Sequence, residues 1–207
     1  MWVDPAHPSG TRPSYARHSR HRAPNDLLVE AVSQSDRLGG AALDVGAGSL
    51  NSTRYLLARG FTVQAVDPDP YTAERAAGLD DPRLTVHSAD IQDVPIQQQG
   101  FDLIVAIHVL HLLSKTDLDT VVHKLISGLA VGGTLCATFV GVGDTWASMP
   151  WRATSLRDHE MLALMADLSI IRYDELEYDR VNVLGQPKHW HTLRCLARRT
   201  TTRRQPR

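Results

Sequence analysis

Apolar residues recur along this chain with two alternating periods. In residues 25–38, Leu27, Leu28, Ala31 and Val32 form one helical face, with Asn25 as cap and Gly39-Gly40 as stop. Residues 41–45 read as a short buried strand, and residues 52–59 as a helix closed by Gly60. The alternation repeats: strand 61–66, helix 71–79, strand 84–87, loop 88–100, then the strongly apolar strand 101–107, a pattern typical of a sheet covered on both faces. Leu118, Val121, Val122, Leu125, Ile126 and Leu129 give a helical stripe that Gly132-Gly133 closes before a strand over 134–140. Strand–helix units of this length imply parallel pairing with right-handed crossovers. The end of the chain differs: after a helix over 158–166, segments 169–181 and 189–198 flank a Gly185-Gln186-Pro187 turn and predict an antiparallel pair at one edge. The expectation is an α/β fold with a doubly wound, mostly parallel seven-stranded sheet and an antiparallel C-terminal strand pair.

Residues 1–24 lack this periodicity. They hold four Pro and the three histidines His7, His18 and His21, and read as an extended basic arm. Residues 25–199 form a single domain, and 200–207 a disordered basic tail. The longest apolar run, 103–113, is interrupted by His108 and His111 and is too short to span a bilayer. The first residues, MWVDPAHPSG, contain no signal-type apolar stretch, so the expected location is the cytoplasm. Cys136 and Cys195 sit in apolar contexts and read as buried thiols.

The net charge of −1 conceals an asymmetry. Four Arg against Asp4 in residues 1–24, and six Arg with no acid in 194–207, leave residues 25–193 with 12 basic and 22 acidic residues, a net of −10. Phosphate binding needs a basic surface, so an acidic body argues against a nucleic-acid partner.

The candidate chemistry begins in ALDVGAGSLNSTRYL, residues 42–56, where an apolar strand meets Gly46 and Gly48 and then a helix. A dinucleotide fingerprint next requires Gly at 51 and meets Asn51. The version that binds S-adenosylmethionine (SAM) has Gly at 50 and here meets Leu50. Asp44 discriminates between them, because an acid at the end of the first strand can reach the methionine ammonium. SAM has no pyrophosphate, so the missing glycine damages the dinucleotide reading more. Asp67, 23 residues after Asp44, ends the second strand and can accept both ribose hydroxyls. Asp90 follows the third strand and can accept the adenine amino group while Ile91 packs on the ring. Three acids at the ends of three successive strands favour SAM.

With ALDVGAG, VQAVDPDP, SADIQDVP, FDLIVAIHVLHLL and LISGLAVGGTLCATF in order, residues 25–199 resemble a class I SAM-dependent methyltransferase. DVGAGSLNSTRYLLARGFTVQAVD and the C-terminal RYDELEYDRVNVLGQPKHWHTLRCLARR are similar to the tellurite-resistance methyltransferase-like subgroup, although its usual glycine and following Arg are replaced by Leu50 and Asn51. The resemblance implies a cofactor site of Asp44, Gly46, Ala47, Gly48, Asn51, Asp67, Pro68, Asp90, Ile91, Ala106 and Ile107. It also implies SN2 transfer of a methyl group to a small-molecule nucleophile, leaving S-adenosylhomocysteine, with the protein supplying position and desolvation.

Acceptor-side candidates follow the fourth and fifth strands. His108 and His111, at i and i+3, are the candidate bases if the acceptor must lose a proton. Trp146 and Trp151 are candidate walls for an aromatic or cationic acceptor. Tyr15, His18 and His21 of the arm are further candidates, with the arm as a lid. No spacing supports zinc binding by His87, His108, His111 and His123, and no metal is expected. The oligomeric expectation is a monomer or homodimer, with no membrane partner. Two alternatives stand beside this reading: a catalytically silent SAM-binding protein acting through a partner, and a protein or nucleic-acid methyltransferase. The second is disfavoured by AIHV after the fourth strand, which offers no side-chain amide to orient a planar base.

Overall fold

Asn25 caps the first long helix as the sequence predicts: its Oδ1 accepts the Leu27 N–H at 3.0 Å, and helix α2 runs Asp26–Ser33. A computed structural model describes residues 15–34, 39–149 and 154–200. Before α2 stands α1 (Tyr15–Ser19). Then follow β1 (Gly40–Val45), α3 (Asn51–Ala58), β2 (Phe61–Val66), α4 (Pro70–Ala77), β3 (Leu84–His87), β4 (Phe101–Ala106), α5 (Lys115–Gly128) and β5 (Leu129–Gly141). The chain closes with β6 (Ser155–Leu156), α6 (Asp158–Leu164), β7 (Ser169–Val181) and β8 (Pro187–Arg198).

The sheet order is β3-β2-β1-β4-β5-β8-β7, with the short β6 beside the end of β5. Strands β1 to β5 pair in parallel, and β8 runs antiparallel to both β5 and β7. The doubly wound expectation is met, and alternation along the strands builds its two faces. Leu43, Ile104 and Ala106 pack with Leu118, Val121, Val122 and Leu125 of α5. Ala42, Leu103 and Val105 face Leu27, Leu28 and Ala31 of α2 and Leu56 of α3. Cys136 and Cys195 are free, buried thiols, and burial pushes their ionisation upward. Charged residues along the outer strand β7, among them Arg172, Asp174, Glu177 and Asp179, discourage pairing with a further strand. Among the described residues no helix is long and apolar enough to cross a membrane.

Three local expectations need correction. Strand β5 starts at Leu129, not after Gly132-Gly133. Leu129 pairs with Phe101 and the register then shifts to Leu103↔Thr134, so the two glycines sit in an irregular stretch inside the strand. A Cβ at Gly133 would come within 2.8 Å of the Phe101 carbonyl oxygen. Second, residues 15–19 of the supposed extended arm are helical, with Ala16 buried. Third, β6 and the two 3-10 turns, Leu110–Leu112 and Thr145–Ser148, are too short for periodicity to reveal.

Leu50 explains the missing glycine. It adopts the left-handed conformation, φ 61° and ψ 28°, that a glycine takes without strain. Its side chain is completely buried beside Ala47 and Ala65. Left-handed backbone costs an ordinary residue about 1–2 kcal/mol, whereas truncating a buried leucine costs about 2–5 kcal/mol. Burial wins. Denaturant unfolding should therefore rank wild type above Leu50→Gly and Leu50→Gly above Leu50→Ala, the reverse of the usual Ala-over-Gly order; Leu50→Ala as the more stable variant would contradict this account.

Candidate active site

The strand order reverses at β1, which has β2 on one side and β4 on the other, and a crevice opens at their carboxyl ends. Val45, Val66 and His87 are level in register, so Asp44, Asp67 and Asp90 project near one edge of the sheet. The glycine loop folds back over this edge: the Gly46 and Ala47 N–H groups donate to the Val66 carbonyl at 2.8 and 3.2 Å. Gly46 has φ 70°, and a Cβ there would lie 2.5 Å from Val109 Cγ2, so only glycine fits.

Asp44 is 3% exposed. Its Oδ2 accepts the Thr53 hydroxyl at 2.6 Å. Burial raises its pKa to about 6; the Thr53 hydrogen bond opposes that rise and the Asp67 charge adds to it. Among the described residues no cation pairs with it, which leaves a buried carboxylate suited to a positive ligand group.

Asp67 is half-buried. Its Oδ1 accepts the Asp69 N–H and its Oδ2 the Gly48 N–H, each at 2.8 Å. Burial raises its pKa, and these hydrogen bonds partly offset the rise. Each carboxylate oxygen keeps a second lone pair, so two hydroxyls could still be accepted. Pro68 beside it is exposed. Asp90 is exposed and Ile91 buried; Lys124 Nζ donates to the Ile91 and Gln92 carbonyls at 3.0 Å each and pins this loop. Ala106 is buried at the end of β4 and Ile107 half-buried beyond it.

His108 and His111 do not share a helical face. His108 has φ 55°, a left-handed backbone outside any helix, and its N–H donates to Thr138 Oγ1 at 2.8 Å. Its side chain is exposed and meets the Trp190 ring edge-on. Desolvation, then the charges of Arg22, Lys188 and Arg194, drive its pKa down to about 4 against the opposing pull of Asp144. These effects favour the neutral imidazole. His111 lies in the 3-10 turn, is buried, and stacks on Trp146 at 5.2 Å between centroids.

Helix α1 bridges the crevice. Ser19 Oγ lies 3.1 Å from Ser49 Oγ, and Asn51 Nδ2 donates to the Ser19 carbonyl at 2.8 Å. Asn51 thus faces the arm, with its buried Oδ1 lacking a hydrogen-bond partner. Arg17 pairs with Glu74 at 3.4 Å and lies over the Tyr71 ring, and Tyr15 meets Trp146 edge-on at 6.3 Å. His18 and His21 are exposed, and His21 Nε2 accepts from Arg20 Nε at 2.9 Å. Trp151 lies outside the described residues.

Sequence reasoning missed the groups that pack beside His108 and His111. Lys188 and Asp144 form a buried ion pair, their side chains 1% and 0% exposed. Trp190 joins them: Lys188 Nζ lies 4.0 Å from the Trp190 ring centroid and 4.3 Å from that of Trp146. The available signal was strand alternation, which puts Lys188 and Trp190 on one face, opposite His189 and His191.

Comparison with known proteins agrees with this geometry. Residues 42–133 match a family model described as a methyltransferase domain. A protein from Geobacillus thermodenitrificans named an uncharacterised methyltransferase is 28% identical over 110 residues, 53% of this chain and 50% of that protein. The chain thus spans about half the length of the curated relatives it matches. Among solved structures, TehB from Haemophilus influenzae superposes with TM-score 0.75 at 17% identity, covering 89% of this chain and 65% of that one. The 1,6-didemethyltoxoflavin-N1-methyltransferase of Burkholderia thailandensis, solved with 1,6-didemethyltoxoflavin and S-adenosylhomocysteine bound, superposes with TM-score 0.63 at 18% identity, covering 85% and 79%. Residues 42–133 thus resemble a methyltransferase domain, and the chain shares the Rossmann-like fold of these methyltransferase structures.

Proposed function

We propose that this protein binds SAM in the crevice at the end of β1 and transfers its methyl group to a small-molecule nucleophile. The observation that carries the reading is Asp44: a buried carboxylate with no cation beside it among the described residues, next to a glycine loop, at the strand end where the order reverses. Asp44 would hold the methionine ammonium, Asp67 the ribose hydroxyls, and Ile91 with Asp90 the adenine. Gly46, Ala47 and Gly48 let backbone approach, and Ala106 with Ile107 floor the crevice. When bound, SAM supplies an activated methyl on a positive sulfur. The protein's own task is to position the acceptor and exclude water, with His108 or His111 to take a proton where one must leave. The 1,6-didemethyltoxoflavin bound by the Burkholderia neighbour and the acidic body of this chain both support a small acceptor over a nucleic acid. Helix α1 serves as the lid, tied to Ser49 and Asn51 on one side and to Trp146 on the other.

Titration calorimetry tests the binding. SAM and S-adenosylhomocysteine should bind the wild type, and Asp67→Ala should weaken both by about 1–3 kcal/mol, the scale of a lost hydrogen bond to a charged group. Equal affinity of the variant would remove Asp67 from the site. Deleting residues 1–22 should leave the folded circular dichroism spectrum intact and lower SAM affinity; unchanged affinity would remove the lid.

Asp44 also carries a stability signature. Its pKa is raised on folding, so its contribution is fully present below the unfolded value near 3.8 and is lost as pH rises through about 6. Asp44→Asn keeps the Thr53 contact without the charge. It should stabilise the ligand-free protein at pH 8 by up to ~3 kcal/mol and change little near pH 4. A melting temperature that falls at pH 8 would show that Asp44 is satisfied by something other than a ligand.

A further inference from the structure

The acceptor side contains a cation of its own. Lys188 Nζ lies over the rings of both Trp146 and Trp190, whose centroids are 5.6 Å apart with planes tilted by 55°. Two tryptophans at this spacing form the open box that takes an ammonium ligand, and here the protein has filled it from within. Asp144 fixes the filling. Besides the ion pair, its Oδ1 accepts the Trp146 N–H at 2.8 Å and its Oδ2 the His191 N–H at 3.1 Å. One carboxylate thereby ties the segment after β5 to the start of β8.

The outer surfaces of this block face the histidines. His111 stacks on Trp146, and His108 meets Trp190 edge-on at 6.0 Å. Charged groups bearing on His108 are Arg22, from the segment after α1, with Lys188 and Arg194 from β8, and Asp144 from the segment after β5. Two of these cations are paired with acids: Lys188 with Asp144, and Arg194 with Asp26 at 2.9 Å.

We propose that Lys188 is the specificity-determining residue of the acceptor chamber: by occupying the faces of Trp146 and Trp190 it denies them to an ammonium group, so the chamber selects flat neutral or anionic acceptors and rejects ammonium ones. Flat rings follow from walls of imidazole and indole, which favour offset or edge-on aromatic partners. This inference rests on the methyl-transfer reading, since it assumes that the acceptor enters beside His108. It also divides the two acceptor classes considered for Trp146: the aromatic one remains and the cationic one is lost.

The test uses one ring in three charge states. Indole-3-acetate, indole-3-acetamide and tryptamine are titrated at neutral pH into the full chain saturated with S-adenosylhomocysteine. The acetate and the acetamide should each bind at least tenfold more tightly than tryptamine. The double variant Lys188→Ala/Asp144→Asn clears the indole faces without stranding a buried charge, and its tryptamine affinity should rise at least tenfold. Arg22→Gln, at an exposed position outside the core, provides a second variant and should narrow the acetate-to-tryptamine ratio. Tryptamine binding the wild type as tightly as the acetate would overturn the proposal, as would no binding of any probe or an unchanged preference in both variants. Failure of S-adenosylhomocysteine itself to bind would instead overturn the methyl-transfer reading on which the proposal stands.

Discussion

Parallel pairing of β1 with both β2 and β4 is the constraint from which the site follows. Right-handed crossovers send α3 and α5 to opposite faces, so the strand between them is covered twice. A carboxylate at the end of such a strand loses water from both sides. Among the described residues Asp44 has exchanged it for the hydroxyl and backbone of Thr53, and burial still raises its pKa to about 6. A fold that needed only stability would place an apolar residue or an amide there. The strain at Leu50 belongs to the same loop, where backbone must turn sharply away from the strand end.

The other half of the crevice depends on the antiparallel insertion of β8 between β5 and β7. Because β8 runs opposite to β5, its first residues lie at the carboxyl end of the parallel strands, with Thr192 opposite Val140. Lys188 and Trp190 thus reach the segment that follows β5, and Asp144 closes the contact. A buried ion pair is seldom the most stable solution for a core. Its value here is geometric: it fixes the angle between two indole rings against which both histidines rest.

Much of the fold was legible because local chemistry and global pattern agree. Asn25 caps α2, and β2, β3 and β7 keep the bounds read from their apolar and turn residues. The glycine pair at 132–133 misled, since a strand irregularity and a helix stop use the same residue type. The acids at 44, 67 and 90 were legible as strand-end groups because each follows a short apolar run. The histidines were legible as neighbours of the site but not in their geometry: His108 has a positive φ outside any helix, and His111 stacks inside a 3-10 turn. Lys188 and Asp144 were invisible for a different reason. They are 44 residues apart, and a lone lysine in a strand pattern gives no sign that its charge is buried.

The central claim is that the buried Asp44 carboxylate receives the cofactor's ammonium, and proton counting tests it most directly. Calorimetric titration of SAM at pH 6 in two buffers of different ionisation enthalpy should show wild type releasing roughly half a proton on binding, because a group with a pKa of about 6 is half protonated before binding and ionised after it. Asp44→Asn should release none. Binding by the wild type with no proton release at pH 6, or with the same release in the variant, would contradict the account.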